Sequence, residues 1–334
     1  MKIDIYMPRL DITFKQTEII PEERSEIIPI RKHWIRFLRA LINRHEALNH
    51  EVRLVELPLW LITTETVRSH SKGADRIYIP HKMRANWWLD DRVLYYMQMV
   101  IPNIFSIDSH GWCASASSYP ILPNGSNFDN IYENLRERVK SNTSKFEQPE
   151  YKDTHLEPGY IFFPCQLPHD ETIKFHSDVE VSDALKITMK WVSDFNSQCT
   201  GNDTLRSLVI KGHPANPSSM LPLRQIFNDL LPEMRGMAHW VDDMSIHQLI
   251  ANSRVVVSVN SGVGLEAILH GKSIFVFGRA DYDSVNKYSG KISDLPLSYR
   301  DLNAEDILIY KKFISSWYGT HYDYENPNTF NKIN

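Results

Sequence analysis

Short apolar runs and stretches of helical period alternate along this chain, and in its second half the alternation is regular. Residues 160–164 (Tyr-Ile-Phe-Phe-Pro) are a short apolar run, and 181–197 carry an amphipathic helical pattern. Residues 205–211 predict the next strand, 220–231 a short helix and 237–241 a weak strand. Asp242 and Asp243 supply N-cap chemistry for a helix over 244–252. Residues 254–259 are rich in valine, as a strand buried on both faces should be. A helix over 263–270, capped by Gly271, and an apolar strand over 273–277 complete the series. Strands that alternate with helices predict a parallel sheet with right-handed crossovers, so the second half reads as Rossmann-like.

The first half alternates less cleanly. Residues 2–7, 51–55, 76–79 and 103–107 predict strands, and 33–45 and 91–100 predict helices. Between the halves, residues 141–158 have almost no apolar periodicity and read as a linker. The expected organisation is an N-terminal α/β domain over 1–150, a Rossmann-like domain over 151–310 and a tail over 311–334. Two α/β domains of this size suggest an enzyme that binds its ligand between them.

Composition narrows the class. A length of 334 residues suits about two domains at ~150 residues each. Hydrophobic residues at 42% and charged residues at 23% are ordinary for a globular chain and argue against disorder. With 37 basic against 41 acidic residues the chain lacks the basic excess of a dedicated nucleic-acid binder. No apolar run approaches the ~20 residues of a membrane span, and the N-terminal Met-Lys-Ile-Asp-Ile-Tyr reads as a strand and not a signal peptide. Three widely spaced cysteines, Cys113, Cys165 and Cys199, form neither a disulfide framework nor a zinc pair, which predicts a cytoplasmic protein.

Ligands of open parallel sheets bind beyond the carboxyl ends of the strands, so the residues just past each strand carry the functional signal. Gln166 and Asp170 come after the first predicted strand of the second half, and Lys211-Gly-His213-Pro214 after the second. Asn260-Ser261-Gly262-Val-Gly, with Glu266 beyond it, and Gly278-Arg-Ala-Asp281-Tyr-Asp283 come after two more. The Asn-Ser-Gly segment opens a helix whose free N–H groups suit a phosphate, and Glu266 is placed to accept ribose hydroxyls. On these residues alone, Ser261 as a plain cap and Glu266 as a solvated side chain stand equally open. Lys211 and His213 put a cation and an imidazole on one tight loop, suited to a leaving phosphate. A capping histidine beside a turn proline and an N-capping Asp170 are the plainer alternatives. Asp281 and Asp283 match a metal-holding Asp-x-Asp only weakly. No His-x-x-x-His, His-Glu-x-x-His, Walker or Gly-x-Ser-x-Gly pattern occurs.

These blocks resemble a known family. Residues 241–282, with Asn260-Ser-Gly-Val-Gly-Leu-Glu266 at their centre, are similar to the capsule-polysaccharide-biosynthesis glycosyltransferases that transfer Kdo (3-deoxy-D-manno-oct-2-ulosonic acid). Phe163-Pro-Cys-Gln166-Leu-Pro-His-Asp170, with His176-Ser177 behind it, resembles the family's Leu-Gln-x-x-x-Asp segment, and Lys211-Gly-His213-Pro214 its Lys-x-His-Pro. Residues 95–112 look like the branch that caps O-antigen chains, with Asp108 nearest the family's acid. The resemblance implies a GT-B fold and a retaining β-Kdo transferase that uses CMP-β-Kdo without a metal. It makes Asp170 the nucleophile of a double displacement and Asp108 the acid/base candidate. Gln166, Lys211, His213, Asn260, Ser261, Gly262 and Glu266 become donor-binding residues. A saccharide acceptor on a lipid-linked glycan is implied, with work at the inner face of the membrane; Arg31, Lys32, Arg36 and Arg39 could help there, and the solvated face of a helix is an equal reading of them. Another GT-B transferase, using CMP-sialic acid or a UDP- or GDP-sugar, a sugar-nucleotide epimerase, and a silent assembly partner are the competing functions.

Overall fold

A computed structural model of the chain describes residues 1–9, 30–58, 61–80, 90–198, 207–286 and 302–334. These form two compact units, one of Met1–Tyr119 with Tyr318–Asn334 and one of Pro120–Trp317.

The first unit holds β1 (Lys2–Arg9), α1 (Ile30–Ala47), β2 (Glu51–Pro58), α2 (Thr64–His70), β3 (Arg76–Pro80), β4 (Val93–Gln98) and β5 (Ile104–Asp108). β2, β1, β3 and β4 pair in parallel in that order. β5 joins β4 antiparallel, and a short strand, Tyr322–Asp323, closes the sheet antiparallel to β5. Phe37 of α1 stacks on Phe105 of β5 with ring centroids 4.0 Å apart, and Trp34 packs edge-on against both Phe105 and Tyr96. β4 corrects the helix expected over 91–100. Val-Leu-Tyr-Tyr-Met-Gln is buried on both faces, so no polar alternation marks it as a strand.

The second unit contains α3 (Phe128–Lys140), β6 (Tyr160–Pro164), α4 (Glu171–His176), α5 (Val181–Gln198), β7 (Leu208–Lys211), α6 (Leu221–Leu230) and β8 (Ala238–Trp240). It continues through α7 (Ile246–Asn252), β9 (Ser253–Ser258), α8 (Val263–Leu269), β10 (Ser273–Val276) and α9 (Ala304–Thr320), the last three residues of which fall in the first unit. Residues 205 and 206 of the predicted strand, and Cys199, lie outside the described residues. Its sheet is wholly parallel in the order β10-β9-β6-β7-β8. The chain enters at β6, runs outward through β7 and β8, then returns to β9 on the other side. That reversal makes the ends of β6 and β9 the topological switch point, where such sheets bind ligands. Val255, Val256 and Val257 of β9 are each at most 2% exposed, and burying each contributes roughly 2 kcal/mol.

Three expectations change here. The division falls at Tyr119/Pro120, and residues 141–158 belong to the second unit. Ser245 Oγ donates to Asn142 Oδ1 at 2.5 Å, the Ile246 N–H to Gln148 Oε1 at 2.8 Å, and Gln248 Nε2 to the Lys152 carbonyl at 2.5 Å. Those ties are polar and aperiodic, so hydrophobic patterning gives no sign of them. Residues 318–334 are part of the first unit through the strand on β5, and not a separate tail. Ser245 also caps α7, accepting from the His247 N–H at 3.1 Å in place of Asp242 or Asp243.

Candidate active site

Gln166, just past β6, and Asn260, just past β9, lock the two sides of the switch point together. Gln166 Nε2 donates to Asn260 Oδ1 and the Asn260 N–H donates to Gln166 Oε1, both at 2.9 Å. Both side chains are buried, so these bonds are made in low dielectric where an unmade one costs most. Asn260 Nδ2 donates onward to the Thr172 carbonyl at 2.9 Å, in the first turn of α4. Thr172 in turn donates its N–H at 2.8 Å and its hydroxyl at 2.7 Å to Asp170 Oδ1. A continuous chain of bonds thus runs from both strand ends to one oxygen of Asp170. Oδ2 takes none of them. Gln166 and Asn260 spend their amides on this scaffold and position Asp170.

The loop after β7 places His213 beside that carboxylate. The Ala215 N–H donates to His213 Nδ1 at 3.2 Å, which assigns the ring proton to Nε2. Burial pushes the His213 pKa down to about 4, against opposing pull from Asp170 and a further push from Lys145. The ring is therefore neutral near pH 7 and offers one N–H. Lys145 completes the group. It is half-buried, and burial lowers its pKa to about 8 while Asp170 acts in the opposite sense. Sequence reading missed Lys145 because a lone lysine in an aperiodic polar stretch looks solvated.

Other expected residues lie differently. Lys211 is 6% exposed, and its ammonium donates to the Asp242 carbonyl at 2.7 Å, tying the end of β7 to the end of β8. Burial lowers its pKa, against Asp242 and Asp243. Gly212 packs against the same aspartate: a Cβ there would meet Asp242 Oδ1 at 2.6 Å. At the start of α8, Ser261 Oγ accepts from the Val263 N–H at 3.2 Å, and the Gly264 and Leu265 N–H groups donate within their own turn to Ser261 and Gly262. With seven residues and those donors engaged, α8 offers less to a phosphate than the sequence suggested. Gly264 is there for packing, since a Cβ would lie 2.3 Å from the Tyr282 ring, whose hydroxyl donates to the Ser261 carbonyl at 2.5 Å.

Glu266 is 1% exposed and faces inward, against its expected role at ribose hydroxyls. Its Oε1 accepts from Ser144 Oγ at 2.6 Å, and burial raises its pKa to about 8. His247 Nε2 lies 3.8 Å from that oxygen but bonds the Thr143 carbonyl at 2.9 Å, while His247 Nδ1 meets His270 Nε2 at 3.1 Å. Asp281 accepts from Trp317 Nε1 at 2.9 Å, with burial raising its pKa to about 6, and Asp283 accepts from the Ala280 N–H at 2.8 Å. Asp281 ties its loop to α9, and Asp283 serves its own turn. Among the described residues no cluster of three metal-ligating side chains occurs.

Beyond the end of β10 a cavity of about 540 Å³ is lined by Phe175, His176, Ser177, Phe277, Gly278 and Arg279 among others. The Arg279 N–H donates to the His176 carbonyl at 2.7 Å, which joins the end of α4 to the loop after β10.

Asp108, in the first unit, is 9% exposed and fully engaged. Its Oδ1 accepts from the N–H groups of His110 (2.7 Å), Gly111 (3.2 Å) and Ser117 (3.0 Å), and its Oδ2 from the Ser117 N–H (2.9 Å) and hydroxyl (2.5 Å). This geometry makes Asp108 an anchor for its loop.

Comparison with known proteins places these observations. The chain is similar to Protein FixF of Sinorhizobium fredii, 26% identical over 167 residues, which is 48% of this chain and 34% of FixF. It spans about a third of the length of the curated relatives it matches. In fold it is similar to the β-Kdo 2,7 transferase of Thermosulfurimonas dismutans KpsC, with a TM-score of 0.52 and 17% identity, covering 93% of this chain and 90% of that one. The β-Kdo 2,4 transferase of the same protein gives 0.50 and 13%, covering 87% and 88%. The α/β, GT-B-like fold class read from the sequence is thereby shown. Residues 94–286, more than half of the chain, match the family described as capsule polysaccharide biosynthesis protein. The chain belongs to the capsule polysaccharide biosynthesis family.

Proposed function

We propose that this chain is a glycosyltransferase that moves Kdo from CMP-β-Kdo to a saccharide acceptor with retention of configuration, in the synthesis of a bacterial surface polysaccharide. The observation that carries the reading is Asp170: one carboxylate oxygen is fixed by Thr172, the other is open, and a cation and an imidazole N–H stand beside it. In the first step Asp170 Oδ2 bonds to the anomeric carbon while that carbon's bond to the phosphate oxygen breaks, and CMP leaves. In the second the acceptor hydroxyl attacks the same carbon, the Asp170 ester bond breaks, and the hydroxyl proton passes to a base. Two inversions give retention. His213 Nε2–H is suited to a phosphate oxygen of the leaving CMP, and a preorganised donor there is worth roughly 10²-fold in rate. The cavity lined by His176, Ser177 and Arg279 has the size for the cytidine.

The reading invokes no metal, since the one leaving phosphate has an imidazole donor available to it in His213. Among the described residues no helix is long and apolar enough to cross a membrane. The proposed place of action is the cytoplasmic face of the inner membrane, where a lipid-linked glycan would present the acceptor. Lys32, Arg36 and Arg39 are exposed on α1 and could favour an anionic surface; the side chain of Arg31 lies outside those described.

The test is a trapped intermediate. Incubated with CMP-Kdo and EDTA but no acceptor, the protein should gain the mass of one Kdo residue on the peptide that contains Asp170. An adduct on another residue, an inverted product, or activity only after Mg²⁺ or Mn²⁺ is restored would each count against the mechanism. Transfer from CMP-sialic acid or a UDP-sugar in preference to CMP-Kdo would move the donor assignment.

A further inference from the structure

Ser144, Lys145 and Phe146 lie in the segment between α3 and β6, and all three reach residues of the site. The Ser144 hydroxyl donates to Glu266 Oε1 at 2.6 Å, and the Phe146 ring meets the His213 ring edge-on with centroids 5.3 Å apart. These two contacts pin the backbone on either side of Lys145. Its own ammonium makes no hydrogen bond, and no ion pair within 4.0 Å, with any described residue. Its charge nonetheless acts on His213, and that of Asp170 acts on it. An exposed lysine would extend its head into water. This one is half-buried and held beside a carboxylate that it does not touch, at the cost of lost hydration. Such a gap between a cation and a nucleophile is suited to an anionic group of a ligand.

Lys211, the cation expected to meet the donor, is already committed to the Asp242 carbonyl. We propose that Lys145 binds the carboxylate carried on the reacting carbon of a 2-ulosonic acid donor, and so selects such donors over neutral sugars. The inference rests on the reading of Asp170 as nucleophile. In such a donor the carbon under attack bears both the leaving phosphate and a carboxylate, so an attacking carboxylate meets like charge. Displacement puts the leaving group on the side away from Asp170. A cation on the Asp170 side therefore faces the substituent beside the reacting carbon, and lowers its repulsion toward the nucleophile. An aldose donor has no carboxylate there and leaves the ammonium's open donors without a ligand partner, which is how a polar site built for one group rejects a substrate that lacks it.

The test uses the full chain with Lys145→Met and Lys145→Arg, reading CMP affinity by calorimetry and Kdo transfer by steady-state kinetics. The Met variant should keep CMP affinity within about twofold while kcat/KM for CMP-Kdo falls roughly 10²-fold, mostly through KM. The Arg variant should recover at least about a tenth of wild-type kcat/KM, because charge and not packing is at issue. A Met variant within about threefold of wild type overturns the proposal. So does a parallel loss of CMP affinity, which would put the cation on the phosphate, and so does a Met variant whose lost transfer is matched by a lowered melting temperature that Arg does not restore. Wild-type protein that binds CMP but transfers a neutral sugar refutes the donor reading itself, and this proposal with it.

Discussion

The end of β5 in the first unit and the end of β6 in the second both deliver an aspartate, and the two are used in opposite ways. Asp108 takes four donors from its own loop on two oxygens, so the carboxylate holds Ser109 through Ser117 in place. Asp170 takes two donors from one residue on one oxygen and keeps the other oxygen open beside Lys145 and His213. Both sit where capping is the ordinary role of an aspartate. On the proposed reading, what separates a structural carboxylate from a reactive one is the number of donors it has already accepted.

The largest expected effect comes from that difference. Asp170→Asn keeps an oxygen for Thr172, so the helix cap and CMP binding should survive, while transfer should fall by ~10³-fold or more through loss of the nucleophile. Calorimetry and a product assay on one preparation read both. Substantial residual transfer would return Asp170 to being an N-cap. Asp108→Asn is the mirror experiment. Its amide would set an NH₂ against N–H donors of the loop, so denaturant unfolding should show a loss of about 2 kcal/mol, with transfer within a few-fold of wild type. Transfer abolished at unchanged stability would reverse the comparison and make Asp108 catalytic.

The same difference explains what was legible in the sequence. The second sheet was readable almost strand by strand, because buried parallel strands such as Val255-Val-Val advertise themselves as apolar runs. The strand-end rule then found Gln166, Asp170, His213 and Asn260. β4 was misread as a helix because Val93–Gln98 is buried on both faces, and an apolar run without alternation fits either period. Lys145 was out of reach for a different reason. Nothing in Ser-Lys-Phe departs from a solvated coil, and its place in the site depends on two contacts across more than 60 residues, to Glu266 and His213. Roles were harder to read than positions. Lys211 and Glu266 stand near the expected strand ends, but one side chain is committed to a neighbouring carbonyl and the other is turned inward.

Glu266 gives the comparison a third case, read in stability alone. It accepts one hydroxyl, from Ser144, at 1% exposure, and its folded pKa near 8 lies above the ordinary 4.5. A group with a raised folded pKa binds its proton more tightly in the native state. Its contribution is therefore complete below about pH 4.5 and is lost as pH rises through about 8. The histidines beside it act in the other sense. His247 and His270 have folded values near 4 and 3, so stability falls as pH drops below the ordinary 6.5. Glu266→Gln leaves the histidines in place and removes only the carboxyl titration. Relative to wild type, the variant should gain stability as pH rises from about 5 to 8, by up to about 1.4 kcal/mol per pH unit. The gain should level off above that range. Paired thermal or denaturant melts at several pH values measure the difference directly. A difference flat across the range would mean that Glu266 is already ionised in the folded chain, with a counter-charge or water supplying what Ser144 alone does not. The donor-count argument would then fail at its most buried example.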